Sequence, residues 1–210
     1  TPPSTQQYAV NHKKVREFAL KQGIKHFFDV REGVCHQILP EKGFIAPGKL
    51  VLGTDSHTTT YGAFGAFSCG IGRSEMSVIY ATGEIWLRVP ETMRIKLEGK
   101  LPPGTYPKDV ILYVAGQIGT DGALFQAVEF QGEVITEMSV AGRMTLCNMA
   151  VEMGAKAGYI IPDQKTLDWL NGRIDYSYQI IKSDENARYS NQLIYNLETL
   201  EPQVACPHDV

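Results

Sequence analysis

The 210-residue chain has few cysteines and no long apolar run. Its four cysteines are far apart and form no CxxC pair, which argues against a zinc ribbon or a disulfide scaffold and favours a reducing, cytoplasmic compartment. No apolar stretch approaches the roughly 20 residues of a membrane span. The opening residues "TPPSTQQYAV" carry neither the basic nor the apolar region of a secretory signal. We therefore expect a protein without a membrane partner.

Positive charge is scarce as well, because 20 Lys and Arg face 23 Asp and Glu for a formal net charge of −3. No basic cluster stands out, so the sequence gives no electrostatic reason to expect a nucleic-acid partner. A hydrophobic content of 43% is that of an ordinary globular protein. The chain lacks an initiator Met and stops at "ACPHDV" without a closing element. We expect a segment of something longer.

Helical and strand patterns alternate along the chain, which favours an α/β layered architecture. Helices are predicted over 5–22, 73–87, 107–119, 139–154 and 164–173, and strands over 24–30, 49–55, 127–133, 158–162 and 177–183. Residues 31–48 are expected to form a loop. The alternating stretch "MRIKLEGKLPPG" follows Pro90 and marks a candidate domain boundary, with one domain over 1–92 and a second over 93–210.

The stretch "VLGTDSHTTTYGAFGAFSCGIG" places Asp55, Ser56 and His57 directly after a predicted buried strand. Sites in α/β proteins form beyond the carboxyl ends of such strands, so these residues are candidate site residues. Asp55 and Ser56 could equally cap the following turn through their side-chain oxygens, and the local pattern leaves both interpretations open. The glycines match neither GxGxxG nor GxxxxGK[ST], so a nucleotide site is weakly supported.

A second candidate is His36 in "VCHQILPE", flanked by apolar residues. A lone histidine in such a place is usually structural. It becomes a candidate catalytic residue only beside a carboxylate, because such a partner fixes the imidazole tautomer and raises its basicity.

The third candidate segment is "AGRMTLCNMAVEMGAKAG", in which Asn148 and Glu152 share one face of the predicted helix. Their neighbours are small or apolar. Glu152 is therefore either buried and paired or part of a solvated stripe, and the pattern alone favours the stripe. These candidates would make an acid–base site if they converged, which spacing does not reveal.

Three blocks carry a family resemblance: "EGVCHQILPEKGFIAPGKLVLGTDSHT", "GTDSHTTTYGAFGAFSCGIG" and "GRMTLCNMAVEMGAKAG". They resemble conserved regions of the aconitase superfamily, and in particular of its branch of 3-isopropylmalate dehydratase and homoaconitase large subunits. The resemblance covers essentially the whole chain. It implies layered αβα aconitase-type domains: the late part of the first domain with the DSHT site loop, the second domain with the CNMAVE helix, and a third, cluster-bearing domain absent from this chain.

The resemblance also implies roles for the candidate residues. Asp55 matches the aspartate that pairs with the histidine at His36, and Glu152 matches the glutamate that pairs with the histidine at His57. Asp55, Ser56 and His57 together would line the substrate, and Asn148 would lie near the cofactor. The implied activity is that of a hydro-lyase, which removes water from a small hydroxy-diacid such as isopropylmalate and adds it back.

The implied cofactor is a [4Fe-4S] cluster whose free iron acts as a Lewis acid. The family's cluster ligands lie in "SCTN"-like and "CGPC"-like segments, and neither occurs here. We therefore assign none of the chain's cysteines as a metal ligand: Cys35, Cys69, Cys147 and Cys206. The substrate-gripping arginines and the serine base of the family are also missing. The expected partner is a small subunit with the swivelling domain, and this segment alone should be inactive.

Two alternatives stay open. The chain could belong to a homoaconitase or a dimethylmalate-type dehydratase, because the discriminating residues would lie in the small subunit. It could instead be a cluster-free relative that serves as a binding or regulatory subunit.

Overall fold

The structure is a computed structural model that describes residues 2–207. The ends of the two predicted domains, residue 1 and residues 208–210, lie outside the described part. The helices are α1 (Gln6–Lys21), α2 (Cys35–Glu41), α3 (Arg73–Thr82), α4 (Pro107–Ile118), α5 (Glu133–Glu137), α6 (Val140–Met149) and α7 (Gln164–Leu170). Two 3₁₀ helices complete them: the site 3₁₀ helix (Ser56–Phe64) and the short 3₁₀ helix (Ala150–Met153). Within residues 2–207, no helix is long and apolar enough to cross a membrane.

The six strands form two parallel sheets. They are β1 (Leu50–Gly53), β2 (Phe67–Gly70), β3 (Thr92–Glu98), β4 (Ala127–Gln131), β5 (Ala157–Tyr159) and β6 (Asn191–Asn196). One sheet pairs β1 with β2, and the other has the order β5-β4-β3-β6. The chain passes from β3 through α4 to β4, and then through α5 and α6 to β5, as parallel strands require. The predicted α/β class is confirmed.

The core forms around the four-stranded sheet. Strand β3 alternates, with Met93, Ile95 and Leu97 buried between more exposed neighbours. The site 3₁₀ helix contributes Tyr61 and Phe64 to the same hydrophobic cluster. Because these side chains are buried with the sheet, the polar residues at the beginning of the site 3₁₀ helix are held against a fixed framework.

Two predicted strands, 24–30 and 177–183, are wrong. Among the residues that the structure describes, no strand pairs with 24–30, and Phe28 instead packs its ring edge-on against Phe44. Residues 177–183 are held by single bonds, such as the 2.8 Å bond from the Tyr159 hydroxyl to the Ile181 carbonyl oxygen. The sheet position beside β3 is taken by β6, which the sequence pattern missed.

Helix boundaries differ from prediction at three places. The predicted loop 31–48 contains α2, in which Pro40 lies one residue before the end; proline has no backbone N–H to donate to the preceding turn, and the helix ends at Glu41. Helix α3 ends at Thr82 rather than at residue 87, because Gly83 adopts a left-handed φ of 74° and closes the last turn. The helix predicted over 139–154 is α6 followed by the short 3₁₀ helix. The boundary between 1–92 and 93–210 stays a prediction.

Candidate active site beyond strand β1

Asp55 follows β1 and has two functions in the local structure. Its Oδ1 accepts a 2.8 Å hydrogen bond from the backbone N–H of His57, which caps the site 3₁₀ helix. The same oxygen lies 3.1 Å from Nε2 of His36. The capping contact is therefore present, and the same carboxylate also lies beside an imidazole, while the role of Asp55 as a site residue stays a prediction.

His36 reaches this carboxylate from α2. Its Nδ1 lies 3.7 Å from the thiol sulfur of Cys35, and its ring lies 5.9 Å from the ring of Tyr61 between centroids. Burial is the main cause that raises the pKa of the Tyr61 phenol far above its ordinary value, and Cys35 and Asp55 add to the effect. Tyr61 is therefore a neutral phenol beside the first histidine–carboxylate pair.

The second pair joins His57 to Glu152. Nε2 of His57 lies 3.1 Å from Oε1 of Glu152, although 95 positions separate the two residues. On the other side of the ring, Nδ1 lies 3.2 Å from the hydroxyl of Ser56. The side chain of Glu152 is 36% exposed, so it is a half-buried, paired carboxylate and not part of a solvated stripe.

Asn148 lies on α6, one turn before Glu152. Its Nδ2 donates a 2.9 Å hydrogen bond to the hydroxyl of Thr60, and its carbonyl oxygen accepts one of 3.2 Å from Thr59. A contact of Asn148 with a cofactor stays a prediction. Sequence reasoning missed Thr60 and Tyr61. The spacing of a 3₁₀ helix would have placed Thr60 near His57 had that helix been predicted.

The two pairs form one group, because the ring centroids of His36 and His57 are 6.5 Å apart. A cavity of about 350 Å³ adjoins this group, and Ser56, Val151 and Lys156 are among its lining residues. Each imidazole has a carboxylate on Nε2, and a carboxylate accepts hydrogen bonds, so a neutral ring carries its proton there. Nδ1 then lies beside the thiol of Cys35 in His36 and beside the hydroxyl of Ser56 in His57. The arrangement is suited to acid–base chemistry on a small polar molecule.

The cysteines do not fit an iron–sulfur cluster, which needs three or four neighbouring thiolates. Cys69 and Cys147 are buried, while Cys35 and Cys206 are exposed. Burial raises the pKa of both Cys69 and Cys147 and so keeps them as thiols. Over the described residues, no three His, Cys, Asp or Glu side chains are grouped to hold a metal ion.

Fold and site together define an α/β protein with two neighbouring imidazole–carboxylate pairs. The chain belongs to the aconitase family, whose model, described as aconitase family (aconitate hydratase), matches residues 4–210. It is 53% identical over 206 residues to 3-isopropylmalate dehydratase large subunit 1 of Methanopyrus kandleri, covering 98% of this chain and 49% of that protein.

Other relatives are similarly close. The chain is 51% identical to a probable methanogen homoaconitase large subunit of Methanosarcina mazei, covering 100% of this chain and 54% of that protein. It is also 51% identical to 3-isopropylmalate dehydratase large subunit 1 of Pyrococcus furiosus, covering 99% of this chain and 49% of that protein. The chain thus spans about half the length of the curated relatives it matches.

Proposed function

We propose that this chain is part of the large subunit of a hydro-lyase that reversibly dehydrates a small hydroxy-diacid such as isopropylmalate. The observation that carries the proposal is the convergence of His36 with Asp55 and of His57 with Glu152 in one site. Relatives named as dehydratase large subunits, about half identical to this chain, support the same reaction class.

In this proposal the second pair handles the departing hydroxyl group. The hydroxyl must gain a proton to leave as water. The imidazolium form of His57 gives this proton from Nδ1, the ring nitrogen not engaged by Glu152, and becomes the neutral ring whose remaining proton faces Glu152. Glu152 orients the imidazole and stabilises positive charge on it. The hydroxyl of Ser56 lies 3.2 Å from Nδ1, and the substrate hydroxyl would bind beside it. A positioned acid–base group of this kind contributes on the order of 10²–10⁴ in rate.

The first pair has a supporting role in the proposal. Asp55 holds the ring of His36 and the backbone N–H of His57 with one oxygen, so one carboxylate fixes the first imidazole and the backbone that carries the second. Asp55, Ser56 and His57 form the substrate-binding surface, and His36 belongs to the catalytic group beside Asp55. The base that removes the carbon-bound proton comes from the small-subunit partner.

The proposal assigns the [4Fe-4S] cluster to ligands outside these 210 residues, with Asn148 near it. Iron and sulfide analysis of the complete large subunit tests this assignment without reference to activity. About four irons for each large subunit would agree with a cluster of this type. A protein without iron or sulfide after anaerobic reconstitution would contradict it and would favour the cluster-free binding or regulatory relative.

The function is tested with the complete large subunit, reconstituted with iron and sulfide and assembled with its small subunit. Dehydration of 3-isopropylmalate, dimethylmalate and homocitrate is followed side by side by the formation of the alkene. We expect one of these substrates to be dehydrated and the alkene to be hydrated in reverse. Failure of the assembled, cluster-loaded complex on all three would reject the proposed reaction.

The second candidate is a homoaconitase. The observation that favours it is the 51% identity with the probable homoaconitase large subunit of Methanosarcina mazei, which equals or approaches the identity with the dehydratases. The substrate panel separates the two candidates, because preference for homocitrate over 3-isopropylmalate would assign the chain to the homoaconitase branch.

A further inference from the structure

Two contacts between side chains connect the site 3₁₀ helix to the segment formed by α6 and the short 3₁₀ helix. One is the pair of His57 and Glu152 at 3.1 Å, and the other is the 2.9 Å bond from Asn148 to Thr60. Residues three apart eclipse each other on a 3₁₀ helix, so His57 and Thr60 share a face. Asn148, near the end of α6, and Glu152, in the short 3₁₀ helix that follows, both reach the site 3₁₀ helix. The two contacts therefore lie next to each other between the two segments.

The hydroxyl of Thr60 connects the two contacts. It accepts from Nδ2 of Asn148 and donates a 2.6 Å hydrogen bond to the carbonyl oxygen of His57 itself. A hydroxyl can do both at once, because it has one donor proton and two acceptor lone pairs. Thr60 is only 2% exposed, so water cannot easily replace either bond. The hydroxyl of Thr60 thus connects the backbone of His57 to the side chain of Asn148 on α6.

Neighbouring contacts strengthen the same junction. The hydroxyl of Thr59 donates to the carbonyl oxygen of Asn148 at 3.2 Å, and the hydroxyl of Ser68 donates to the carbonyl oxygen of Thr59 at 3.3 Å. The two consecutive threonines therefore contact Asn148 through both its side chain and its backbone. These hydrogen bonds hold the two segments together beside the pair of His57 and Glu152.

We propose that Thr60 is a positioning residue for the reaction: with Asn148 it fixes the ring of His57 at hydrogen-bonding distance from Glu152. The inference rests on the proposed role of the His57–Glu152 pair. Thr60 touches no substrate in this assignment and acts through the backbone of His57. Loss of its hydroxyl leaves the carbonyl oxygen of His57 and the amide of Asn148 without this partner, and the imidazole is then free to shift from the carboxylate.

The test uses Thr60→Val and Thr60→Ser in the complete, cluster-loaded large subunit with its small subunit. Valine keeps the shape of threonine and removes the hydroxyl, whereas serine keeps the hydroxyl. Thr166→Val is the matched control, since Thr166 is also buried and its hydroxyl accepts a bond from Arg143, away from His57. Three quantities are measured: kcat, KM and the ring N–H signal of His57 in selectively ¹⁵N-labelled protein.

We expect Thr60→Val to lower kcat on the order of 10-fold to 100-fold, as misplacement of a catalytic group does, with KM changed by about twofold or less. Its His57 ring N–H signal should shift or disappear. Thr60→Ser should keep kcat and the His57 ring signal close to those of the parent protein. Thr166→Val should change stability without moving the His57 signal.

The inference is overturned if Thr60→Val leaves kcat and the ring signal as in the parent protein. It is equally overturned if kcat falls while the ring signal stays in place, since Thr60 would then act by another route. An inactive parent complex would reject the proposed function instead. In that case the ring signals of Thr60→Val and Thr60→Ser still decide whether Thr60 positions His57.

Discussion

A single residue, Asp55, makes both a helix-capping contact and a contact with a histidine ring. Asp55 caps the site 3₁₀ helix through the N–H of His57 and contacts His36 with the same oxygen. A capping aspartate is fixed by the backbone geometry of the turn, so the carboxylate is already oriented for the imidazole before any substrate binds. The preorganisation of the first pair therefore follows from local helix capping.

The residue-scale prediction concerns Glu152. Glu152→Gln keeps the shape of the side chain but removes its charge, and the amide can no longer stabilise positive charge on His57. We expect kcat to fall on the order of 10²-fold to 10⁴-fold, the contribution of a positioned acid–base group, with the fold intact. Steady-state kinetics and circular dichroism of the assembled enzyme measure both. Glu185→Gln, on an exposed segment, is the matched control, and equal rates for the two variants would contradict the assigned role.

The site could be predicted only in part from the residues themselves. The position of Asp55 after a strand indicated a site, but no local pattern connects His57 with Glu152 across 95 positions. The pairings came from the family resemblance. Thr60 was missed because its place beside His57 depends on a 3₁₀ helix, and the run of three threonines does not distinguish that helix from a loop.

At the scale of elements, the site 3₁₀ helix packs on β5 without space for a side chain at Gly62. A Cβ there would overlap the carbonyl oxygen of Gly158, and the carbonyl oxygen of Gly62 accepts a 3.1 Å bond from the N–H of Ile160. Close approach of two backbones thus requires glycine at this position.

We predict that Gly62→Ala destabilises the protein by several kcal/mol, in the range of about 3 kcal/mol or more that overpacking reaches in a rigid core. Denaturant unfolding of the complete large subunit measures this difference. The control is Gly116→Ala in α4, where a Cβ meets no atom within 4 Å. That variant should be neutral or more stable by up to about 1 kcal/mol. Similar stabilities for the two variants would show that the close contact is absent.

A buried ion pair fixes α6, the helix that carries Asn148. The guanidinium of Arg143 is nearly fully buried and donates to both carboxylate oxygens of Asp163, the N-cap of α7, at 2.6 and 2.5 Å. Hydrogen bonds from Arg143 are the largest cause that lowers the pKa of Asp163 to about 2. The pair therefore connects the N-terminal half of α6 to the start of α7.

This pair predicts a pH dependence of stability. Because the pKa of Asp163 is lower in the folded protein than its ordinary value of 3.8, the stabilisation is complete above about pH 4 and is lost as pH falls through about 2. Asp163→Asn should cost on the order of 2 kcal/mol at pH 7, less than a fully buried pair, since 37% of the aspartate side chain is exposed. The free energies of unfolding of the parent protein and of Asp163→Asn are measured at pH 7 and at pH 2.5. The difference between the two proteins should be smaller at pH 2.5, and an equal difference at both pH values would contradict this account.

The elements themselves were easier to predict than their partners. Alternating Met93, Ile95 and Leu97 mark β3 from sequence alone. The apolar residues of 24–30 and 177–183 look equally strand-like, yet no neighbouring strand is available to pair with them, and pairing is a long-range property. Strand β6 is polar on its exposed face and was overlooked for that reason.

At the scale of the whole molecule, one hydrophobic cluster contains residues from both predicted domains. Tyr61 and Phe64 come from the first predicted domain and lie in the same core as Ile95 and Phe130 of the second. The two histidine–carboxylate pairs differ accordingly: His36 and Asp55 lie within the first predicted domain, whereas His57 and Glu152 join the two. The complete site therefore depends on packing between the two parts of the chain.

The most direct test of the central claim, that the two pairs perform hydration chemistry, starts from the alkene diacid in oxygen-18 water. The complete cluster-loaded complex should place the heavy oxygen in the hydroxyl group of the hydroxy-diacid, which mass spectrometry detects. In Glu152→Gln and Asp55→Asn, labelling should slow on the order of 10²-fold or more. Labelling at the parent rate in both variants would contradict the account, because neither carboxylate would then support the transfer of water.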